Sequence, residues 1–272
     1  MPALICDKGW VSRQYYALVA DDFMRVTSGT KMLIDSSEIL SQNDKILRAS
    51  EWGMENVEFA NKAIDVLRSA SYLPLDDADD ITLLRLAIRL INSAGAAGIS
   101  SMNGYYQPAA SNIRDIIEVA FLLDLFSRDL SQIEKWRTAD KKTLFSEFRP
   151  LSIRQKLDKF DNPEGGELSF RNDAYKLYSE HGTHMKANAV ILMSPNMNTI
   201  VGPFPDAERL LSLSFDIARY LGAGTFYLFR CLNREMENTD ELEAFVSSSR
   251  IFLNALKEFN ARTTKPDLRG RV

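Results

Sequence analysis

The sequence predicts an all-α protein: one large helical bundle with a small β-hairpin or extended insertion near residues 189–202. Apolar residues recur at helical spacing through almost the whole chain, which is typical of helices that bury one face. The one β candidate is a pair of short apolar runs, at 189–193 and 198–201, on either side of a Ser-Pro-Asn-Met turn signal.

We expect one helical domain over residues 1–262, followed by a flexible tail over 263–272. A chain of 272 residues is long enough to bury a large core, whereas the tail is polar and contains a proline and a glycine. Residues 1–49 could form a peripheral helical segment of this domain. They begin with an amphipathic pattern at 8–28 and then lose regularity, and Ser-Gln-Asn-Asp at 41–44 indicates a turn.

The first half of the chain then predicts three helices, each with a start or stop signal. Ser50 is a plausible N-cap, and Pro74 ends the helix that it begins. The run of acids at 76–80 would stabilise the N-terminus of the next helix through the helix dipole. After a predicted loop at 105–108, Ser111 is expected to cap the third helix. These helices are predicted over residues 50–72, 80–102 and 111–127.

The second half of the chain is divided by the helix-breaking cluster at 162–166, Asn-Pro-Glu-Gly-Gly. Three prolines and a glycine between 195 and 205 also argue against a helix through 186–204. Because that segment carries an apolar run, we expect it to cover one end of the bundle. Helices are predicted over residues 131–137, 141–148, 152–160, 171–184, 206–236 and 239–261.

The charge and the cysteine content limit the classes of function that are open to the chain. The formal net charge is −4 at pH 7, so no global positive field recruits nucleic acid or an acidic membrane. Cys6 and Cys231 are far apart and lack CxxC spacing, which favours a reducing cytoplasm over a disulfide-bonded protein. The most apolar stretch, 210–232, is interrupted by charged residues, which indicates a buried helix. We therefore expect a cytoplasmic protein without a membrane segment.

Residues 171–184 concentrate the chemistry of the chain. Both histidines lie there, together with an arginine, two tyrosines, a serine and two acids. His181 and His184 are three residues apart, but no Glu-x-x-His or His-Glu-x-x-His pattern supplies further metal ligands. Two histidines of this kind are general acid or base candidates, or buried hydrogen-bonding groups. We expect no metal and no cofactor.

A second polar pair lies on the predicted helix at 111–127. Arg114 and Glu118 are four residues apart and share one face of a helix that is otherwise rich in Ile, Leu and Val. Burial of charged groups requires partners, so we expect both side chains to contact the 171–184 helix. The group could be a network that locks two helices together, or a binding site. Its expected members on the 171–184 helix are Tyr175, Ser179, His181 and His184.

The helix at 111–120, Ser-Asn-Ile-Arg-Asp-Ile-Ile-Glu-Val-Ala, resembles an Arg-x-x-x-Glu helix that recurs in a family of uncharacterised, mainly bacterial helical proteins. In that family a Tyr-x-x-Leu-Ser-like segment and a histidine follow. Here these would be 175–179 and then His184, with His181 as the other candidate; Tyr178 stands where leucine is commoner. The resemblance covers residues 111–184 and implies a helical fold, but no settled activity.

A more distant resemblance is to the HEPN ribonucleases, helical proteins of toxin and phage-defence systems. Their hallmark is an arginine, often followed by asparagine, with a histidine four to six residues on. Arg171-Asn172 begins that way, but Lys176 stands at the spacing of the histidine, and His181 comes ten residues after Arg171. The resemblance implies that Arg171 neutralises a phosphate of RNA and that His181 transfers a proton to or from the ribose 2′-oxygen.

Two functional hypotheses follow. In the first, the protein is a binding or structural module, and Arg114, Glu118, Tyr175 and Ser179 hold a small anionic ligand or a partner. In the second, it is a metal-independent ribonuclease that uses the catalytic candidates His184, His181 and Arg171, with RNA as its substrate. The partner is unknown in the first hypothesis, and a homo-oligomer is left open.

Overall fold

The computed structural model describes residues 35–164, 169–183, 192–194, 202–232 and 239–263. Within these ranges the protein is all-α: ten α-helices and one π-helical turn, with no β-strand. All ten helices lie in one compact unit that begins at Ser36. Over the same residues, no helix combines the length and the apolar character needed to cross a bilayer. The predicted helical bundle is therefore confirmed.

The helices are numbered in chain order. The first five are α1 (Ser37–Ala49), α2 (Glu51–Ala70), α3 (Ala78–Met102), α4 (Tyr106–Arg128) and α5 (Ser131–Arg137). The others are α6 (Lys141–Glu147), α7 (Pro150–Asp161), α8 (Ser169–Tyr178), the π-turn (Ser179–Thr183), α9 (Ala207–Leu232) and α10 (Asp240–Thr263).

Three predicted segments lie wholly or largely outside the described residues. These are the amphipathic pattern at 8–28, the tail beyond residue 263, and the hairpin or extended insertion near 189–202. Within the insertion, residues 192 and 193 form a turn. The described residues around the insertion, 192–194 and 202–206, are not helical, and none of them is a strand. The hairpin therefore has no support from the described part of the chain.

Helix α4 lies at the centre of the bundle. Helices α3 and α9 pack against it, and α7, α8 and the π-turn pack against it as well. Its aliphatic residues are almost completely buried, among them Ile113, Ile116, Ile117, Leu123 and Leu125. Burial on several sides explains why its sequence is apolar over most of its circumference. It also means that any charged group on α4 must find a partner inside the protein.

A row of stacked aromatic rings joins α2, α9 and α10. Trp52 stacks on Phe215 with ring centroids 5.4 Å apart, and Phe215 stacks on Phe259 at 5.6 Å. Phe259 continues to Phe59 at 4.4 Å, and Phe59 to Phe252 at 5.6 Å. These centroid distances lie in the range of favourable aromatic pairs. The row therefore links α2 to both α9 and α10.

Two local predictions were wrong because tertiary contacts outweigh composition. Helix α4 starts at Tyr106, five residues before the predicted cap Ser111, and Pro108 lies in its first turn, where no backbone donor is needed. The turn predicted at 41–44 is part of α1. Asn43 is fully buried there and donates hydrogen bonds to the carbonyls at the end of α3, those of Ser101 and Met102. An asparagine that suits a turn instead caps a neighbouring helix.

The helix predicted over 171–184 ends at Tyr178 and continues as the π-turn. Gly182 explains this change, because it brings the turn against the backbone of α4. A Cβ atom on Gly182 would lie 2.9 Å from the Ser111 nitrogen and 3.0 Å from the Ala110 carbonyl carbon. The Gly182 carbonyl accepts hydrogen bonds from the side chains of Gln107 and Ser111. Glycine is therefore required for close approach at this position.

Gly182→Ala should destabilise the protein by about 1–3 kcal/mol, because the clash is with backbone and cannot be relieved by a rotamer change. Gly98→Ala is the matched control, since a Cβ at Gly98 meets nothing within 4 Å in the interior of α3. It should stabilise by about 0.5–1 kcal/mol through helix propensity. Urea unfolding followed by circular dichroism measures both, and equal stability of the two variants would contradict the packing described.

Candidate functional site

A polar stripe runs along the otherwise apolar α4. Gln107, Ser111, Arg114 and Glu118 are spaced four, three and four residues apart, so they share one face of the helix. This face meets the segment from Tyr175 to Gly182. We refer to the stripe, that segment and Arg154 on α7 as the polar seam.

The contacts along the seam run in antiparallel order. Gln107 and Ser111 bind the carbonyl of Gly182, whereas Arg114, further along α4, donates to the Tyr175 hydroxyl at 2.7 Å. The contact expected between Arg114 and the 171–184 helix is therefore confirmed. Glu118, for which the same contact was expected, pairs with Arg114 instead: Arg114 Nη2 lies 3.0 Å from Glu118 Oε1. The side chains of Arg114 and Glu118 are 20% and 30% exposed.

Two guanidinium groups lie over the ring of Tyr175. The guanidinium carbon of Arg114 is 5.1 Å from the ring centroid, and that of Arg154 on α7 is 4.1 Å from it. Both distances are within the range of cation–π attraction. One tyrosine thus brings together two cations from different helices, and Glu118 is the carboxylate paired with Arg114.

Arg154 is the member of the seam that sequence reasoning missed. It is only 6% exposed, and burial lowers the pKa of its guanidinium, while Tyr175, Asp158 and Glu118 act in the opposite direction. Its place in the sequence could have indicated this burial. On a short helix read as polar, Arg154 lies next to Ile153 and three residues before Leu157, and all three are buried.

Several buried polar atoms of the seam have no hydrogen-bond partner among the described residues. They belong to α4, α7 and the π-turn: Arg114 Nε, Arg154 Nη1, Ser179 Oγ and His181 Nδ1. A buried polar atom without a partner is costly and needs an explanation. Their concentration on the elements of one seam indicates a site that is polar enough to take in a ligand or water.

Arg171 has a different environment from Arg114 and Arg154. Its guanidinium lies 2.9 Å from Asp158, 2.6 Å from Asp161 and 3.3 Å from Asp124. Arg128 joins the same group through Asp124 at 2.7 Å and Asp161 at 2.6 Å. Arg171 and Asp124 are 4% and 1% exposed. Three carboxylates thus surround the arginine that the ribonuclease hypothesis assigns to phosphate, and these interactions join α4, α7 and α8.

The remaining predicted site residues lie on or beyond the π-turn. Ser179 is buried and His181 is partly buried, and their side chains supply two of the atoms without a partner. His184 lies outside the described residues, so the geometry of the histidine pair is not described. Over the described ranges, no three His, Cys, Asp or Glu side chains come together as a potential metal site.

Tyr178 lies within the seam segment but binds α9, and so anchors the start of the π-turn to that helix. Its hydroxyl donates a hydrogen bond to the Asp216 carboxylate. Burial raises the pKa of Asp216, and the hydrogen bond from Tyr178 offsets part of that rise. Burial, assisted by the charge of Asp216, raises the pKa of Tyr178 well above the usual value. Tyr178 therefore stays protonated at neutral pH and acts as a donor that holds the turn in place.

Comparison of the chain with protein-family models, with curated proteins and with solved structures finds no match. The two family resemblances therefore stay predictions, and the geometry of the seam carries the functional argument.

Arg171→Met should lower the free energy of unfolding by about 3 kcal/mol, because the buried carboxylate of Asp124 then keeps only one of its two cations. Arg48→Met is the control, since it removes an exposed pair with Asp44 on α1; its melting temperature should match that of the wild type. Differential scanning calorimetry measures both. A variant at Arg171 that keeps the wild-type melting temperature would show that the arginine is not needed for the fold.

Proposed function

We propose that this protein is a binding module whose polar seam holds a small anionic ligand between Arg114 and Arg154. One observation carries the proposal. Two guanidinium groups converge on the Tyr175 ring, and each has a buried N–H donor, Nε of Arg114 and Nη1 of Arg154, without a partner among the described residues.

The charge balance of the seam supports an anion. Glu118 is paired with Arg114, whereas the carboxylate four residues after Arg154, Asp158, lies 2.9 Å from Arg171. Asp158 and Glu118 both act on the Arg154 guanidinium, but among the described residues neither carboxylate forms an ion pair with it. Each unsatisfied buried donor costs about 1–3 kcal/mol. A phosphate or carboxylate group offers several acceptor oxygens, and the planar guanidinium suits both of them.

The ribonuclease hypothesis would place the phosphate on Arg171 instead. That guanidinium already has three carboxylate neighbours, so an added phosphate would meet negative charge. We therefore propose Arg114 and Arg154 as the anion site and assign Arg171 a structural role. The cytoplasmic setting predicted from the cysteines fits a small phosphorylated or carboxylated metabolite as the ligand.

Isothermal titration calorimetry with inorganic phosphate at low ionic strength should detect saturable binding to the wild-type protein. Arg154→Met should weaken that binding by about tenfold or more, because it removes charge-assisted hydrogen bonds to the anion. Methionine retains much of the packing volume, so the fold should survive.

Arg85→Met is the matched control, because Arg85 is an exposed arginine on α3; it removes the same charge from the surface and should leave phosphate binding unchanged. Acetate tests whether a carboxylate is accepted as well. An absence of heat with both anions, or equal affinity of the Arg154 and Arg85 variants, would contradict the proposal. Cleavage of an RNA oligonucleotide by the wild type would instead favour the ribonuclease hypothesis.

A further inference from the structure

Ser179 is a member of the polar seam that the two-arginine anion site leaves unused. It is the first residue of the π-turn, it is only 5% exposed, and its hydroxyl has no hydrogen-bond partner among the described residues. A serine hydroxyl can both donate and accept a hydrogen bond, and a buried hydroxyl without a partner is costly. This side chain is therefore a candidate for contact with a ligand of the seam.

Ser179 lies between the two contacts that join the segment 175–182 to α4. Tyr175, four residues earlier, binds Arg114, and Gly182, three residues later, accepts hydrogen bonds from the start of α4 through its carbonyl. Residues at these spacings share one face of a helical segment. Since Tyr175 and Gly182 both face α4, Ser179 faces it as well, about one turn from the Tyr175 ring.

Three buried donors thus lie around the Tyr175 ring, and each comes from a different element. Nε of Arg114 belongs to α4, Nη1 of Arg154 to α7 and the Ser179 hydroxyl to the π-turn. The two guanidinium carbons are 5.1 and 4.1 Å from the ring centroid. The seam is partly open to solvent beside them, since the side chains of Arg114 and Glu118 are 20% and 30% exposed. An anion therefore has a route from solvent to these donors.

We propose that the anion bound in the seam carries a terminal phosphate group, in preference to a carboxylate, and that Ser179 donates a hydrogen bond to it. This inference rests on the proposed function, in which the two arginine donors suit either kind of anion. A terminal phosphate offers at least three strong acceptor oxygens in a tetrahedral arrangement, whereas a carboxylate has two oxygens in one plane.

The number and the origin of the donors favour the phosphate. Two guanidinium donors are enough for the two oxygens of a carboxylate, so the Ser179 hydroxyl would stay without a partner in a carboxylate complex. A terminal phosphate gives each of the three donors an oxygen of its own. Because the donors come from three separate elements, they suit a tetrahedral group better than a planar one.

Isothermal titration calorimetry of the full chain with inorganic phosphate and with acetate tests the role of this hydroxyl. The wild type should bind phosphate about tenfold more tightly than acetate. Ser179→Ala should weaken phosphate about tenfold and leave acetate unchanged, because only the phosphate complex loses a hydrogen bond to a charged group. The two anions also differ in charge, but that difference is the same for both proteins, so the change in their affinity ratio reports the hydroxyl.

Two further variants separate the hydroxyl from its packing. Ser179→Cys keeps nearly the same volume and offers only a weak donor, so it should lose the preference for phosphate as Ser179→Ala does. Ser249→Ala is the matched control, because Ser249 is 2% exposed and its hydroxyl also has no partner among the described residues. It lies on α10, which packs against α2 and α9, so this variant should bind both anions as the wild type does.

Methyl phosphate in the same titrations distinguishes the two sources of a terminal phosphate: affinity equal to that of phosphate or higher supports a phosphate monoester, and lower affinity supports free phosphate. The inference alone is overturned if Arg154→Met loses phosphate while Ser179→Ala keeps the wild-type preference, or if the wild type binds acetate as tightly as phosphate. A wild type that binds neither anion overturns the proposed function together with the inference.

Discussion

This structure depends on one constraint: the charged side chains of the buried helix α4 need partners inside the protein. Arg114, Glu118 and Asp124 lie on α4 inside the bundle. Tyr175 and Arg171 on α8 bind Arg114 and Asp124, whereas Glu118 pairs with Arg114 on α4 itself. Helices α3 and α9 also pack against α4, whose buried residues are mainly aliphatic. One side of the bundle is thus held by hydrophobic burial, whereas the other depends on matching each polar group, because an unmatched charge in the interior is costly.

Near the C-terminal end of α4, around Asp124, every buried side-chain nitrogen and oxygen has a partner, whereas around Arg114, in the first half of the helix, some have none among the described residues. Around Asp124, two arginines and three aspartates satisfy one another and tie α4, α7 and α8 together. Around Arg114, one tyrosine holds two guanidinium groups that keep unsatisfied donors. The same kinds of residue therefore stabilise the fold in one place and keep donors without partners in another, where we propose the anion site. The contrast depends on the number of carboxylates within reach of each arginine.

Much of this architecture could be predicted from residue patterns, and the failures have physical reasons. The contact of Arg114 with the 171–184 segment follows from a charged residue on an apolar helix, which must find a partner. Arg154 was missed because its helix is short and polar overall, so a buried arginine left only a weak pattern. The environment of Arg171 could not be read from the chain, since its carboxylates, at positions 124, 158 and 161, converge only in the folded protein. Composition also misled at Asn43, where a buried helix cap looked like a turn.

The central claim is that Arg114 and Arg154, and not Arg171, hold donors available to an anion. Proton–nitrogen NMR of the arginine Nε–H groups during a phosphate titration tests it most directly, with each signal assigned by single substitution. Binding at the seam predicts saturable shifts of the Arg114 and Arg154 signals at one common dissociation constant, while the Arg171 signal stays in place. A saturable shift of Arg171, with Arg114 and Arg154 unmoved, would contradict the claim and move the anion to the site of the ribonuclease hypothesis.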